Sequence, residues 1–343
     1  YAYDHFGRIL SVKVTADGNA ANTQASIVNG FDETGNVRSI AYNGNSLTRN
    51  ITRDIRGAVS GWSMPEFGQQ LTYGDGGAMA DWCGRITSRT SELGEYRGRY
   101  DYYYNTLGFL TRAAFSSDTH RKMNFSASYE YDRQANLTYI KRSGMLPGDR
   151  FGTIVDKAVM RKGNRINKVY GDDAEDALIE NQPQITASGT GCTYDNNGNL
   201  TSDPSRGIRD IEWSETGKPM RVSFVSGEEI CYRYAATGEK LSEVFVDTDG
   251  RILRRRDIYG SYELTDGSLD RTQVGGGYLD SKGVFHVYVT DYQGNVIGII
   301  NAKTGTPVQF TDYYPYGIPH ATAYSPEANR RKFGGKEYTS EFG

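Results

Sequence analysis

The run YDNNGNLTSD, near the middle of the chain, carries oxygen-bearing side chains at a spacing that could bind a cation. Asp195, Asn197 and Asn199 repeat the alternation that opens an EF-hand calcium loop. Such a loop then needs a glycine at its sixth position and a bidentate glutamate at its twelfth. This chain has Leu200 and Arg206 at those positions. The run therefore predicts a turn and not a calcium site.

Other groups with possible chemistry are less complete. The four histidines lack the paired spacing of a zinc site; they are His5, His120, His286 and His320. The acidic segment 172–176 could bind a cation, but its composition favours a solvated loop or one short helical turn. The glycine runs 74–77 and 275–277 lack the lysine and the following helix of a phosphate-binding loop. We expect no metal and no cofactor.

Composition excludes some function classes and indicates a β protein. The formal net charge is −3 with 24% charged residues, which argues against a nucleic-acid binder. The basic run 254–256 is short and is interpreted as a solvated strand face. The chain has 41 Gly and 26 Tyr but only 37% hydrophobic residues, a balance that favours many short strands joined by tight turns.

Cysteine content and hydropathy add little. Cys83, Cys192 and Cys231 form no CxxC pair and no disulfide framework. No apolar run is long enough for a membrane helix. The chain begins and ends within patterned sequence, so we expect it to be a piece of a longer protein.

The YDNNGNL run is one copy of a repeat. Its shared form is an aromatic residue, Asp or Asn, two variable residues, Gly, a polar residue and an aliphatic one. Copies begin at Tyr3, Phe31, Tyr104, Tyr131 and Tyr194, with looser copies around Gly238 and Gly294 and a complementary turn at Gly217. Spacing near 20 residues is typical of a repeat array.

Each position of the repeat has a structural role in a hairpin turn. The acidic or amide side chain accepts backbone N–H groups two and three residues on, and glycine adopts the left-handed conformation that closes the turn. A series of such hairpins predicts a long antiparallel meander. The predicted turn residues are Asp4, Gly7, Asp32, Gly35, Asn105, Gly108, Asp132, Asp195, Gly198, Gly217, Gly238, Gly294 and Gly317.

With these turns in series, the chain resembles the YD-repeat, or RHS, family. Three later stretches strengthen the resemblance: VYVTDYQGNV from Val287, DYYPYGIP from Asp312 and KFGGKE from Lys332. Together they are similar to the RHS-associated core region, in wording closest to the form found in Bacteroidetes-like bacteria, and to polymorphic-toxin or wall-associated members. The resemblance divides the chain into YD repeats over residues 1–258, with an acidic irregular loop at 170–193, and a truncated core region over 259–343.

The resemblance implies an all-β fold, in which hairpins wind spirally into a hollow β-shell, here a partial one. In the family such a shell encloses or presents a variable C-terminal effector, often a toxin. The expected partner is therefore the C-terminal effector region of the same parent chain, with a secretion apparatus or its adaptor and glycans as further candidates. We expect a secreted or cell-surface location, and neither nucleic-acid binding nor a membrane span in this chain.

Two other functions stay open. Family members that cut their own chain use aspartates beyond the point that corresponds to Gly343, so a catalytic role for Glu337 or Glu341 is disfavoured and the chain is expected not to be an enzyme. Exposed tyrosines could instead stack on sugar rings in a carbohydrate-binding adhesin, although tyrosines in sheets more often bury the ring and hydrogen-bond the hydroxyl.

Overall fold

The computed structural model describes residues 1–15, 23–44, 47–74, 84–119, 122–146, 148, 150–173, 191–324 and 329–337. These residues form antiparallel β-strands joined by turns, which confirms the all-β prediction. No α-helix occurs within these ranges, and two short 3-10 turns lie at Pro204–Arg206 and Phe333–Gly335. No helix among the described residues has the length and apolar character to cross a membrane.

The first sheet has fourteen strands in the order of the sequence. They are β1 (Ala2–Tyr3), β2 (Ile9–Thr15), β3 (Thr23–Phe31), β4 (Val37–Tyr42), β5 (Leu47–Arg53), β6 (Val59–Met64), β7 (Phe67–Thr72), β8 (Ser88–Leu93), β9 (Tyr96–Tyr104), β10 (Leu110–Ser116), β11 (Ala127–Tyr131), β12 (Leu137–Leu146), β13 (Arg150–Lys162) and β14 (Arg165–Asp173). This order is that of the predicted meander.

A two-stranded sheet follows, formed by β15 (Thr193–Tyr194) and β16 (Leu200–Ser202). The third sheet has twelve strands, again in sequence order. They are β17 (Ile208–Trp213), β18 (Pro219–Phe224), β19 (Glu229–Tyr234), β20 (Lys240–Val246), β21 (Ile252–Tyr259), β22 (Tyr262–Thr265), β23 (Ser268–Val274), β24 (Gly277–Asp280), β25 (Phe285–Thr290), β26 (Val296–Asn301), β27 (Pro307–Tyr313) and β28 (Pro319–Tyr324).

Strand β9 shows how sequence alternation selects the buried face. Its residues read YRGRYDYYY, and successive side chains of a strand point to opposite faces. Tyr96, Tyr100 and Tyr102 are consequently buried, whereas Arg97 and Arg99 are exposed. The tyrosine content of the chain is therefore partly an interior feature.

The chain divides into two compact units. Unit 1 comprises Tyr1–Asn105, Arg112–Ser126 and Arg271–Tyr338; unit 2 comprises Thr106–Thr111, Ala127–Asp270 and Thr339–Gly343. The predicted boundary after residue 258 falls inside β21.

Unit 1 has a large apolar core to which strands of both large sheets contribute. Phe67 and Leu93 come from the first sheet, and Val287 and Ile300 come from the third. A Cβ atom at Gly298 would lie 2.2 Å from the Phe67 ring, so glycine is required for this close approach. The core of unit 2 is smaller, with Phe224, Ile230 and Phe245 at its centre.

The acidic segment corrects one prediction. Asp172 and Asp173 belong to strand β14, where they pair with Asp156 and Val155 of the long strand β13, and not to a loop or helical turn. The extended partner strand supplies backbone hydrogen bonds that continue the ladder past Gly171. Residues 174–190 lie outside the described residues.

Candidate functional site

The predicted turn residues occupy hairpin turns of one repeated geometry. In most copies the residue at the Asp position donates its N–H to the carbonyl four residues on, and the glycine donates its N–H back to the first carbonyl. Gly7, Gly35, Gly108, Gly198, Gly217, Gly238, Gly294 and Gly317 all have φ between 70° and 103°. In the copy that lacks glycine, Ala135 takes the same conformation with φ 66°.

The carboxylate contacts differ from the prediction in one respect. Asp132 accepts N–H groups from Gln134 and Asn136, each at 2.9 Å, which lie two and four residues on instead of two and three. The N–H three residues on, from Ala135, is already donated to the Asp132 carbonyl at 3.1 Å. Asp4, Asp32 and Asp291 accept from the same two positions.

In the opening run, Asp195 accepts the Asn199 N–H at 2.8 Å and the Asn199 side-chain amide at 2.8 Å. The side-chain hydrogen bond from Asn199 is the largest influence on this carboxyl and lowers the pKa of Asp195 below its usual value. Asp195 and Asn199 are thus parts of a turn. Among the described residues, no group of three His, Cys, Asp or Glu side chains is placed to hold a metal ion.

One turn of this kind has a hydroxyl in place of the carboxylate, and three more turns depart from the repeat pattern at the aromatic position. Ser214 replaces Asp before Gly217 and accepts the Lys218 N–H at 3.0 Å through its hydroxyl. Asp54, Asp247 and Asp280 form capped turns of the same kind, but an Arg, a Val and a Leu precede them where the repeat has an aromatic residue. A search for D-x-x-G alone would have found all three.

A second regularity connects neighbouring hairpins. In six contacts an aromatic residue at or just after the end of a strand donates its polar hydrogen to a backbone carbonyl at or near the start of an earlier strand. The donor and acceptor pairs are Tyr73 with Val59, Tyr104 with Ile86, Tyr131 with Leu110, Tyr194 with Ile166, Trp213 with Leu200 and Tyr313 with Val296, at 2.6–3.0 Å. We call these contacts the turn ladder.

Other side chains take the same role where no donor-bearing aromatic residue is present. Phe31 has no hydroxyl, and the Asn29 amide instead donates to the Ile9 carbonyl at 2.9 Å. Arg161 Nε donates to the Leu137 carbonyl at 3.2 Å. In these contacts the common feature is a side-chain donor for a backbone carbonyl of an earlier hairpin, and among the described residues tyrosine supplies it most often.

The interior of unit 1 contains a buried ion pair. Arg89 of β8 donates to Asp312 Oδ1 at 2.6 Å, and Tyr96 of β9 donates to Asp312 Oδ2 at 3.0 Å. Both charged side chains are at most 5% exposed. Burial is the largest influence and would raise the pKa of Asp312, but the Arg89 guanidinium, the nearby His320 and the hydrogen bonds from Tyr313 N–H and the Tyr96 hydroxyl together lower it.

Two similar TDY triplets in the sequence have different roles. Asp291 caps its own turn and is buried; burial raises its pKa although the Asn295 side chain donates to it. Asp312 lies within strand β27 instead, and the turn that follows begins at Tyr314. Sequence alone does not separate these two aspartates.

A C-terminal segment, residues 329–337, docks on these turns; we call it the strap. Gly334 donates its N–H to Asn295 Oδ1 at 2.6 Å, and Val296 donates its N–H to the Lys332 carbonyl at 3.2 Å. Phe333 packs edge-on against Tyr313 at 5.8 Å between ring centroids. A Cβ atom at Gly317 would lie 2.6 Å from the Phe333 ring. Three stretches that seemed separate in sequence therefore meet in unit 1.

Unit 2 contains its own buried pair. Arg256 of β21 lies opposite Glu243 of β20, and their side chains form an ion pair at 2.9 Å with at most 6% exposure. The Arg256 guanidinium also lies 5.0 Å from the centroid of the Phe245 ring. The prediction of a solvated basic run is therefore correct for Arg254 and Arg255, which are exposed, and wrong for Arg256, which is buried against Glu243.

The remaining candidates form no site. Cys192 and Cys231 are free thiols whose pKa is raised, chiefly by burial. Glu337 forms an isolated backbone bridge with Arg331. Cys83, His120, Glu341, Gly343 and most of the glycine run 74–77 lie outside the described residues.

Comparison with known proteins gives a likeness of fold. No family model matches the chain, and no curated protein does. A crystal structure of TcdB2-TccC3 matches with a TM-score of 0.54 and 14% identity, over 99% of this chain and 22% of that chain. The Photorhabdus luminescens Tc holotoxin pore with a substitution in TccC3 matches with a TM-score of 0.51 and 13% identity, over 96% and 20%.

A structure of TcdB2-TccC3 without its hypervariable C-terminal region matches with a TM-score of 0.50 and 13% identity, over 98% of this chain and 21% of that one. This chain thus spans about a fifth of the length of the chains it matches. The likeness shows an RHS-like β-shell fold.

Glycine 198 allows a test of the turn interpretation. Gly198→Ala should lower the free energy of unfolding by about 1 kcal/mol or more, because a side chain is strained at φ 87°. Gly275→Ala is the matched control, since a Cβ atom at Gly275 would have no neighbouring atom within 4 Å and Gly275 has no positive φ. Denaturant unfolding measures both. EDTA should leave the melting temperature unchanged, and a fall would revive the metal interpretation.

The turn ladder predicts a cost for losing a single hydroxyl. Tyr131→Phe and Tyr194→Phe should each lower the free energy of unfolding by about 1 kcal/mol, because the ring is kept while a carbonyl loses its donor. Tyr262→Phe, at a tyrosine that is 55% exposed, should change it by much less. Equal effects at all three positions would show that the ladder contacts do not stabilise the fold.

The buried pair of unit 1 predicts that removing one partner destabilises the fold far more than replacing both partners with apolar residues. Asp312→Asn should lower the free energy of unfolding by about 3–5 kcal/mol, because it leaves the Arg89 charge buried without a counter-charge. The double variant Arg89→Met/Asp312→Leu should recover much of this loss. Asp257→Asn, which breaks the more exposed pair with Arg255, should cost about 1 kcal/mol or less. A small effect of Asp312→Asn would mean that water reaches the pair.

Proposed function

We propose that this chain is part of a β-shell that encloses and presents a variable C-terminal effector of a longer, exported protein. The observation that carries the proposal is the fold likeness over 99% of the chain to part of TcdB2-TccC3. One of the similar structures is described as lacking a hypervariable C-terminal region, which makes an equivalent region the natural candidate for the enclosed partner here.

The strap supports this proposal from within the chain. It fixes the backbone at residues 329–337 through contacts with two turns, so chain that follows would leave from an anchored point. A chain that starts from a fixed point can reach fewer positions than one that starts from a free end. Anchoring of the strap therefore lowers the conformational entropy of the region that follows it. The shell itself is proposed to be non-enzymatic and to act in competition between bacteria or at the cell surface.

Enclosure predicts protection of the C-terminal region in the parent protein. In a trypsin time course, that region should survive at least tenfold longer within the parent chain than when expressed alone. Asp312→Asn should shorten its survival, because it destabilises unit 1, and Asp257→Asn should not. Equal cleavage rates for the region inside and outside the parent chain would contradict the proposal.

The same samples distinguish the processing alternative. A discrete smaller band in the untreated parent protein, one that persists with protease inhibitors, would indicate self-cleavage of the chain. A single full-length band would exclude it.

The adhesin alternative rests on tyrosines outside the turn ladder. Tyr259 and Tyr262 pair across neighbouring strands, are 61% and 55% exposed, and present ring faces of the kind that stack on sugars. Glycan-array binding that is lost in Tyr259→Ala and Tyr262→Ala would favour this function over enclosure.

A further inference from the structure

His320 lies in an aromatic cage inside unit 1. Its ring stacks on Phe125 with the two ring centroids 4.2 Å apart. The rings of Tyr100, Phe115 and Tyr314 are arranged edge-to-face with it, at centroid distances of 5.8, 5.7 and 4.9 Å. The His320 side chain has no solvent exposure. A neutral imidazole fits such a cage, whereas a charged one loses its hydration without gaining equivalent partners.

The charged neighbours of the cage are already engaged with one another. Asp312 Oδ2 lies 3.7 Å from His320 Nε2, which is beyond hydrogen-bond distance. That carboxylate binds Arg89 and Tyr96 instead. The other titratable groups that face the ring are the phenols of Tyr100 and Tyr314. Burial lowers the pKa of His320 to about 4 despite the nearby Asp312.

The cage connects directly to the strap. Tyr314, which contacts the His320 ring, is also the first residue of the turn that Gly317 closes: Tyr314 donates its N–H to the Ile318 carbonyl at 2.8 Å, and Gly317 donates back to Tyr314 at 3.0 Å. Gly317 in turn is the residue over which Phe333 of the strap packs. A displacement of the His320 ring would therefore be transmitted to residues 329–337 through two contacts, first with Tyr314 and then between Gly317 and Phe333.

We propose that His320 is an acid sensor for the strap: protonation of its caged ring disrupts the Tyr314–Gly317 turn and releases residues 329–337. The consequence for an enclosed C-terminal region rests on the proposed function, but the opening of the strap does not. At neutral pH the ring is uncharged and the strap is docked.

The direction of the pH effect on strap docking follows from proton linkage. His320 has a lowered pKa when docked and an ordinary value near 6.5 once hydrated, so the open form binds more protons in the window between them. Docking is fully favoured above about pH 6.5 and weakens as the pH falls toward 4. The opening constant should rise roughly 20-fold between pH 7 and pH 5.

Amide hydrogen exchange on this chain measures the opening directly. The reporters are Gly334 N–H, bound to Asn295, and Val296 N–H, bound to the Lys332 carbonyl. After correction for the intrinsic pH dependence of exchange, both opening constants should increase together on acidification. In His320→Phe, which keeps an aromatic ring in the cage but cannot be protonated, they should change less than about threefold. His320→Gln serves as a second variant should the phenylalanine perturb packing.

Two controls separate this mechanism from others. His286→Gln removes a histidine that pairs with Asp280 and should leave the wild-type pH profile intact. Asp291, whose pKa is raised by burial, caps the turn on which the strap docks and is the rival sensor. If His320→Phe keeps the wild-type acid response, or if the wild-type opening constants do not change between pH 7 and pH 5, the proposal is wrong. Failure of the protease-protection experiment alone would leave it standing.

Discussion

Hydrogen bonds from side chains to backbone carbonyls near the start of earlier strands connect consecutive hairpins in the described part of this chain, and the order of the strands depends on such connections. Buried or half-buried carbonyls that lack a donor destabilise a fold. Here the donor is supplied by the residue that ends a later strand, as Tyr131 does for Leu110 and Tyr194 does for Ile166. Successive turns are thereby tied together along the sheet edge. These contacts favour a ribbon with its strands in sequence order, because each one links a hairpin to an earlier one.

Buried ion pairs inside the two units favour one arrangement of the strands over others. Arg89 and Asp312 in unit 1, and Arg256 and Glu243 in unit 2, are buried pairs that join strands facing or neighbouring each other. Such pairs contribute little net stability compared with apolar residues of the same size, but an arrangement that separates them is heavily penalised. We infer that they select one packing of strands among several that tyrosine-rich faces would allow.

Local chemistry made much of the fold predictable. The all-β class, the sequential antiparallel array and the positive-φ glycines all follow from short-range signals such as the Asp195 to Gly198 turn. What could not be predicted depends on distance or on context. Arg89 and Asp312 are 223 residues apart, and nothing near either residue signals the other. Nothing in the sequence near Phe333 signals its contact with Gly317, and Asp312 is indistinguishable from Asp291 in a TDY triplet. The sequence around His320 bears only on metal binding, whereas the chemistry of this side chain arises from the cage that encloses it.

The most direct test of the turn ladder is a double-mutant cycle between a side chain and a backbone group. Replacing Thr111 with its α-hydroxy acid weakens the Leu110 carbonyl as an acceptor, and Tyr131→Phe removes the donor. Because the two changes act on one hydrogen bond, the account predicts that their effects on the free energy of unfolding are non-additive by about 0.5–1 kcal/mol. Additive effects would contradict it, since they would mean that the hydroxyl and the carbonyl stabilise the fold independently.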